Sequence, residues 1–182
     1  MNPFANRKFI RWCSEYDKKK FRLTDDGFSV PDSKFNRVFL LAHAFRHYVR
    51  EGLGLRHVMD YYFLLLSLYG THKLSNICLS QDDMIMELGM SRFEKAMRWV
   101  MLYVFEDNDV EVGRKCGKIL LAHVMDGGSF GKYKTTSIAS RHTHFGRFIN
   151  QVAHTFRLMW YYPQEAVWVP ISMVREFFMI RI

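Results

Sequence analysis

The spacing of apolar residues in the middle of the chain limits its fold more than any other feature. Between residues 35 and 49, apolar side chains recur every three or four positions, which places them on one stripe of a helix. Asp32 or Ser33 would cap this helix, and we expect it to end near Arg50. The next helix, over residues 55–69, is apolar nearly all round, as is typical of a helix that its neighbours cover. We therefore expect a mainly α fold.

Further helices are predicted from the same periodicity and from the residues that begin and end them. They cover about residues 4–16, 80–89, 91–105, 109–125 and 143–160, and a last helix starts near Pro170. Two of these helices are expected to begin at capping boxes, formed by Ser80 with Asp83 and by Ser91 with Glu94.

One β-hairpin is predicted near the N-terminus, at residues 20–31. Alternating apolar positions lie on both sides of an Asp-Asp-Gly turn at residues 25–27, which is a strong hairpin signal. A lone hairpin is marginally stable in water, so it must rest on helices or belong to a larger sheet. The expected architecture is a multi-helix bundle with a short N-terminal β-hairpin, divided into residues 1–31 and a helical domain over residues 32–182.

The net charge and the cysteine content limit which partners and which cellular compartment we expect. The formal net charge of +8 favours anionic partners such as nucleotides, nucleic acid, phosphorylated glycans or an acidic membrane surface, unless it only makes the surface soluble. Cys13, Cys78 and Cys116 show neither CxxC nor Cys/His ligand spacing, which argues against a disulfide framework and a zinc site and fits the cytoplasm. The N-terminal residues contain no apolar signal region, and the most apolar stretch, residues 61–68, is too short to cross a bilayer.

Two histidines of the first long helix, His43 and His47, are four residues apart and therefore share a face. The zincin metal motif needs a glutamate directly after the first histidine, and this chain has Ala44 there. Histidines beside a core stripe are usually ordinary hydrogen-bonded residues, so no metal ligand is predicted.

Arg56 and Asp60 begin the most apolar helix and are also four residues apart. A carboxylate at the start of a buried helix needs a partner, because an unpaired buried charge is costly. The favoured interpretation is a buried Arg56–Asp60 pair that fixes this helix against its neighbours. The alternative is a polar cluster that lines a pocket, made of His43, His47, Arg56, His57 and Asp60.

A basic tract follows Asp126, with no acidic residue before Glu165. It contains Lys132 and Lys134 beside a glycine-rich loop at residues 127–131. Such loops bind phosphate through backbone N–H groups and nearby charge, although the P-loop pattern is absent. Lys132 and Lys134 are therefore candidate ligand-binding residues.

Arg37 and His43 match the loose R-x(4–6)-H spacing of some helical ribonucleases. Arg50 and His57 match it as well. Such matches arise easily by chance in a chain rich in arginine and histidine, so RNA cleavage stays an alternative.

Three segments resemble one family. FNRVFLLAHAFRHYVREGLGLRHVMDYYFLL, residues 35–65, and YYPQEAVWVP, residues 161–170, resemble the C-terminal half of the uncharacterised nucleotidyltransferase family of bacteria. In that family a helix with spaced histidines leads into a GLGLR…D segment, and a P-x-E-x-x-W-x-P element lies near the C-terminus. NPFANRKFIRW resembles the segment in which the family's catalytic domain gives way to its helices.

The resemblance implies that the chemistry belongs to an N-terminal domain like that of DNA polymerase β. Its signature is a Gly-Ser or Gly-Gly turn followed by Asp-x-Asp, which holds two Mg²⁺ ions on the nucleotide phosphates. The one candidate turn here, Gly128-Ser129, has no Asp-x-Asp after it. We therefore expect no catalytic residue and no cofactor in this chain, with Mg²⁺ and NTP held only if a catalytic domain is supplied elsewhere. The hairpin would be a remnant of that domain's sheet.

The resulting prediction is a binding module, the non-catalytic substrate- or acceptor-binding helical part of a nucleotidyltransferase-like protein. Its expected partners are a nucleotide or anionic acceptor and a separate catalytic subunit; no motif supports nucleic acid. The candidate binding residues are His43, His47, Arg56, Asp60, Lys132 and Lys134. Two alternatives stay open: a helical ribonuclease that uses Arg37 and His43, and an interaction module whose aromatic C-terminus docks on an acidic membrane surface or a partner.

Overall fold

The structure, a computed structural model, describes residues 2–16, 21–50, 52–77, 82–127, 146, 160–163, 167–168 and 171. Within these residues it contains six α-helices and one two-stranded hairpin, which confirms a mainly α fold. The elements are α1 (Pro3–Glu15), β1 (Arg22–Leu23), β2 (Ser29–Val30), α2 (Ser33–Arg50), α3 (Leu55–Tyr69), a 3-10 turn (Leu74–Asn76), α4 (Asp83–Glu87), α5 (Ser91–Glu106) and α6 (Arg114–Gly127). None of the described helices is both long enough and apolar enough to cross a membrane.

Several predictions concern residues outside this description. Lys132 and Lys134 lie outside the described residues, as do almost all of the helices predicted over residues 143–160 and after Pro170.

Side chains fix where three of the helices begin. Asn2 and Asp82 accept hydrogen bonds from first-turn N–H groups of α1 and α4. Asp32 caps α2 by accepting from the Phe35 N–H at 2.8 Å, which confirms one of the two predicted caps. Asp32 also accepts a hydrogen bond from the Tyr16 hydroxyl at 2.8 Å. This second bond ties the end of α1 to the start of α2.

The two predicted capping boxes are wrong. The residue that caps α4 is Asp82 and not Ser80, which lies outside the described residues. At α5 the N-cap is Met90, and Ser91 is the first residue of the helix. Glu94 does not reach back to the helix end, because its carboxylate is turned into the core.

α5 is the central helix of the described core and packs against α3, α6 and the 3-10 turn. Its buried residues are Phe93, Glu94, Ala96, Met97, Trp99, Val100, Met101 and Leu102. The expectation that neighbours cover α3 on all sides is wrong, since Leu55, Met59 and Phe63 are exposed along one of its faces. α3 packs against α2, α5 and the 3-10 turn through its other faces.

A buried polar triad joins α2, α3 and α5. Arg37 donates to Glu94 Oε1 from Nη2 at 2.9 Å and from Nε at 3.2 Å, and the Tyr61 hydroxyl donates to the same oxygen at 2.7 Å. Arg37 is 5% exposed and Glu94 is 9% exposed. Because a buried charge is costly unless it is paired and hydrogen-bonded, these contacts hold the three helices in fixed relative positions.

α5 and α6 pack closely where Gly117 faces the ring of Trp99. A Cβ atom at Gly117 would lie 2.6 Å from Trp99 Cδ2, so a larger residue does not fit. The Trp99 indole N–H donates to Asp109 Oδ1 at 3.1 Å, and Arg114 Nε donates to the same oxygen at 3.0 Å. These bonds hold residues 109–113 as a loop, so α6 begins at Arg114 and not near Asp109 as predicted.

The predicted hairpin is present, with β1 and β2 paired antiparallel. Its turn contains Gly27, whose φ of +81° favours glycine. Both strands are exposed, and the hairpin meets the helices at its base, where the Phe21 ring centroid lies 5.4 Å from that of Phe35 in α2. No third strand extends it among the described residues.

Candidate site at the α2–α3 corner

A sharp turn between α2 and α3 builds the candidate site. Gly52 has a φ of +99°, which favours glycine, and its N–H donates to the His47 carbonyl at 2.9 Å. Leu53 is fully buried, and Gly54 then caps α3 in extended backbone conformation. The turn therefore brings the first turn of α3 beside the C-terminal half of α2.

Three histidines meet at this turn. The ring centroids of His43 and His47 on α2 are 4.6 Å apart. The ring of His57, in the first turn of α3, lies 5.8 Å from His43 and 4.9 Å from His47. One ring nitrogen of each residue lies within 4.8 Å of the other two, with His43 exposed and the other two half-buried. The three histidines of the polar cluster, which was the alternative prediction, are therefore in contact with one another.

The surroundings keep two of these imidazoles neutral. Burial lowers the pKa of His43, and the nearby His47 and Arg46 lower it further. Burial also lowers the pKa of His57, and the nearby His47 lowers it further, while the adjacent backbone of Gly54 and the charge of Asp60 raise it. At neutral pH each of the two rings therefore has one N–H to donate and one nitrogen with a free electron pair.

Arg56 and Asp60 form an ion pair at the start of α3, with Nε and Oδ2 3.9 Å apart. The prediction that this pair is buried and braces the helix is wrong, because the two side chains are 85% and 54% exposed. Both residues lie on the face of α3 that also carries the exposed Met59 and Phe63. The pair is a surface feature of the site.

Arginines add positive charge around the histidines. Arg46 is exposed on α2 and acts on His43, while Arg56 is exposed on α3. No sequence motif identifies Arg46, although its position three residues after His43 puts it on a neighbouring part of the helix surface. We refer to the set of six residues as the α2–α3 corner: His43, Arg46, His47, Arg56, His57 and Asp60.

The N-terminus of α3 adds backbone donors to this corner. Its N-cap, Gly54, offers no side-chain acceptor, and the first turn holds no acidic residue. The first N–H groups of a helix have no partner within the helix and carry a partial positive charge. Together with the guanidinium of Arg56 and the imidazoles, they form a set of groups that suits a phosphate or carboxylate.

The fold does not bring together Arg37 and His43, the first of the two pairs with the ribonuclease spacing. Arg37 is buried and bonded to Glu94, whereas His43 is exposed and its ring is nearly parallel to that of Phe39, at a centroid distance of 6.5 Å. The six residues from Arg37 to His43 rotate about 600° around the helix axis, which is about 120° short of two full turns, so the two side chains leave α2 in different directions.

Two cavities lie elsewhere on the described surface. One, of about 590 Å³, has Tyr62, His72 and Glu106 among its lining residues. The other, of about 320 Å³, is lined in part by Arg92 and Tyr162. Neither takes a lining residue from the α2–α3 corner. The corner is therefore distinct from both of these cavities.

The segments that carry the family resemblance contact one another in the fold. Tyr162, from the second segment, is buried with its ring centroid 5.3 Å from that of Phe45 in α2. Trp168, from the same segment, lies 5.9 Å from Phe4 in the N-terminal segment. Comparisons with protein-family models, with curated proteins and with solved structures found no match for this chain.

Proposed function

We propose that this chain is the non-catalytic, ligand-binding helical part of a nucleotidyltransferase-like protein, and that its α2–α3 corner binds the phosphate groups of a nucleotide or an anionic acceptor. One observation carries the proposal: three histidines and the exposed Arg56 lie beside a helix N-terminus that lacks a side-chain cap. Part of the corner comes from the GLGLRHVMD segment, which also carries the family resemblance.

Each component of the corner suits a phosphate. The guanidinium of Arg56 can donate two parallel hydrogen bonds to phosphate oxygens. At the start of α3 the N–H groups of Leu55 and Arg56 favour an anion at the same end of the helix, whereas the His57 N–H already donates to the Gly54 carbonyl at 3.1 Å. Neutral imidazoles such as those of His43 and His57 each donate one further hydrogen bond. None of these contacts requires a catalytic carboxylate in this chain.

The chemistry of transfer would belong to a separate catalytic subunit or domain, which would hold Mg²⁺ and the NTP. Lys132 and Lys134, in the basic tract, would contribute further charge toward the same ligand. The net charge of +8 would attract anions over a longer range. We place this module in the cytoplasm because its cysteine spacing favours reduced thiols, and the described Cys13 and Cys116 are free.

The proposal is tested by titrating chelator-treated protein with ATP and with pyrophosphate at low ionic strength and measuring the heat of binding by calorimetry. We expect saturable binding that weakens as salt is added, because screening reduces attraction between exposed charges. Arg56→Ala should weaken binding about tenfold or more, since a hydrogen bond to a charged group contributes about 1.5–3 kcal/mol. Lys132→Ala and Lys134→Ala should weaken it further.

The matched control for Arg56→Ala is Arg22→Ala, which removes the same charge from the exposed hairpin. It should leave the affinity nearly unchanged. Equal losses in the two variants would mean that only net charge attracts the anion. Undetectable binding at low salt would overturn the proposal.

A further inference from the structure

The histidines of the corner have the composition of a transition-metal site. His43 and His47 are four residues apart on one helix, the spacing at which many helices present two nitrogens to a metal ion. The fold adds His57 from the start of the next helix, so that three nitrogens lie within 4.8 Å of one another. Imidazole is a good ligand for Zn²⁺ and other divalent ions of the first transition series.

One nitrogen of this cluster has no partner in the described part of the chain. Nδ1 of His57 is buried, and although the backbone of Gly54 lies close to this ring, no hydrogen bond of good geometry reaches Nδ1 among the described residues. Such an atom costs about 1–3 kcal/mol when it stays unsatisfied. Because buried polar atoms in native proteins are nearly always satisfied, it is a second sign that an ion or ligand binds at this point.

We propose that His43, His47 and His57 together bind one divalent transition-metal ion of the Zn²⁺ class, with its remaining coordination positions facing solvent. This proposal replaces the expectation of no metal, which considered only the two histidines on α2. The glutamate that is missing after His43 is the general base of one class of hydrolase. Its absence does not weaken metal binding by the three imidazoles.

Metal binding requires the three histidine nitrogens to move closer together than they are here. In a tetrahedral zinc site with Zn–N distances of about 2.0–2.1 Å, the ligand nitrogens lie about 3.3 Å apart. The present spread of up to 4.8 Å must therefore shrink by about 1.5 Å when the ion binds. His43 is exposed, so its ring has room to turn.

The charges around the cluster are compatible with a cation. Asp60 is close enough to His57 to act on it, and carboxylates beside metal-binding histidines commonly orient the imidazole ring. Arg46 and Arg56 oppose a cation, but both are exposed and therefore screened by water. Three protein ligands leave at least one position for water or for an oxygen of an anion.

The test uses the metal alone, so it does not depend on the proposed phosphate binding. Chelator-treated protein is titrated with Co²⁺ in phosphate-free buffer and followed by visible absorption, and the bound Co²⁺ is then displaced with Zn²⁺. We expect one equivalent to bind with the intense absorption of four-coordinate cobalt. His43→Ala should weaken binding by more than about 100-fold, since loss of even an outer partner costs about 10–100-fold.

Two further variants make the result specific. His57→Gln removes the ligand from α3 and should also abolish the cobalt absorption. His72→Ala removes an exposed histidine outside the corner and should leave the titration unchanged. Circular dichroism shows that each variant is folded. No stoichiometric binding by the unaltered chain, or equal binding by folded His43→Ala, would overturn the proposal, whatever the outcome of the ATP titration on metal-free protein.

Discussion

Arg37 of α2 and Glu94 of α5 form a buried ion pair, with Nη2 and Oε1 2.9 Å apart. The Arg56–Asp60 pair on α3 is, by contrast, largely exposed. Removing one partner of a buried pair leaves the other charge unpaired in a poorly hydrated place, whereas a surface partner is solvated again by water. The same substitution should therefore have different effects at the two arginines.

Arg37→Ala is expected to lower the free energy of unfolding by about 3–5 kcal/mol, because it leaves the carboxylate of Glu94 with fewer donors in the core. Arg56→Ala should change it by less than about 1 kcal/mol. Urea unfolding of both variants measures the difference. Similar losses at the two positions would contradict the assignment of Arg37 as the buried brace.

A second prediction concerns the contact between α5 and α6. Gly117→Ala should raise the intrinsic preference for helix by about 1 kcal/mol, yet its new Cβ would collide with the ring of Trp99. We expect the steric cost of this collision to exceed the gain in helix preference. The protein should then lose about 1–3 kcal/mol of stability, as overpacked cores do. Lys118→Ala, at the next and exposed position, is the control and should be nearly neutral. A Gly117→Ala variant that is more stable than the unaltered chain would refute this packing.

A third prediction concerns acid stability and rests on Glu106 at the end of α5. Its carboxylate accepts hydrogen bonds from the backbone N–H groups of Leu74 and Ser75 and from the Tyr62 hydroxyl. Partial burial by itself raises the pKa of Glu106, but hydrogen bonds from the 3-10 turn and from Tyr62 outweigh it and bring the pKa below its ordinary value of 4.5. The ionised form is therefore the one that stabilises the fold.

The stability contributed by Glu106 should be present above pH 4.5 and be lost as the pH falls through its lower, folded-state pKa. Glu106→Gln should cost about 1 kcal/mol at neutral pH, because the group is partly in solvent. In thermal melts, the difference in Tm between the variant and the unaltered chain should be smaller at about pH 3 than at pH 7. A gap that stays constant would show that the charge of Glu106 does not matter. Glu111→Gln, at an exposed residue, is the control.

The helical framework could be predicted from the sequence because periodicity and caps are local. The predicted residues 55–69 coincide with α3, and Asp32 caps α2 as expected. The partner of Arg37 could not be predicted, since it lies 57 residues away and no repeat links the two positions. The burial of Arg37 was itself predictable, because this residue lies on the same face of α2 as Leu41, which is buried.

The candidate site was predictable only in part, for a similar reason. The spacing of His43 and His47 fixes their shared face, but the position of His57 depends on the turn made by residues 52–54. The exposure of Arg56 depends on which face of α3 its neighbours cover, and an apolar run such as residues 61–66 does not reveal that face.

Histidine NMR can locate the phosphate site on the protein. Chelator-treated protein with ¹³C-labelled histidine is titrated with pyrophosphate at constant pH and low salt, and the imidazole signals are followed by NMR. We expect the signals of His43, His47 and His57 to shift together and saturably, while that of His72, on the wall of another cavity, stays in place. Saturable binding that shifts the His72 signal and leaves those of the three corner histidines unchanged would show that phosphate does not bind at the α2–α3 corner.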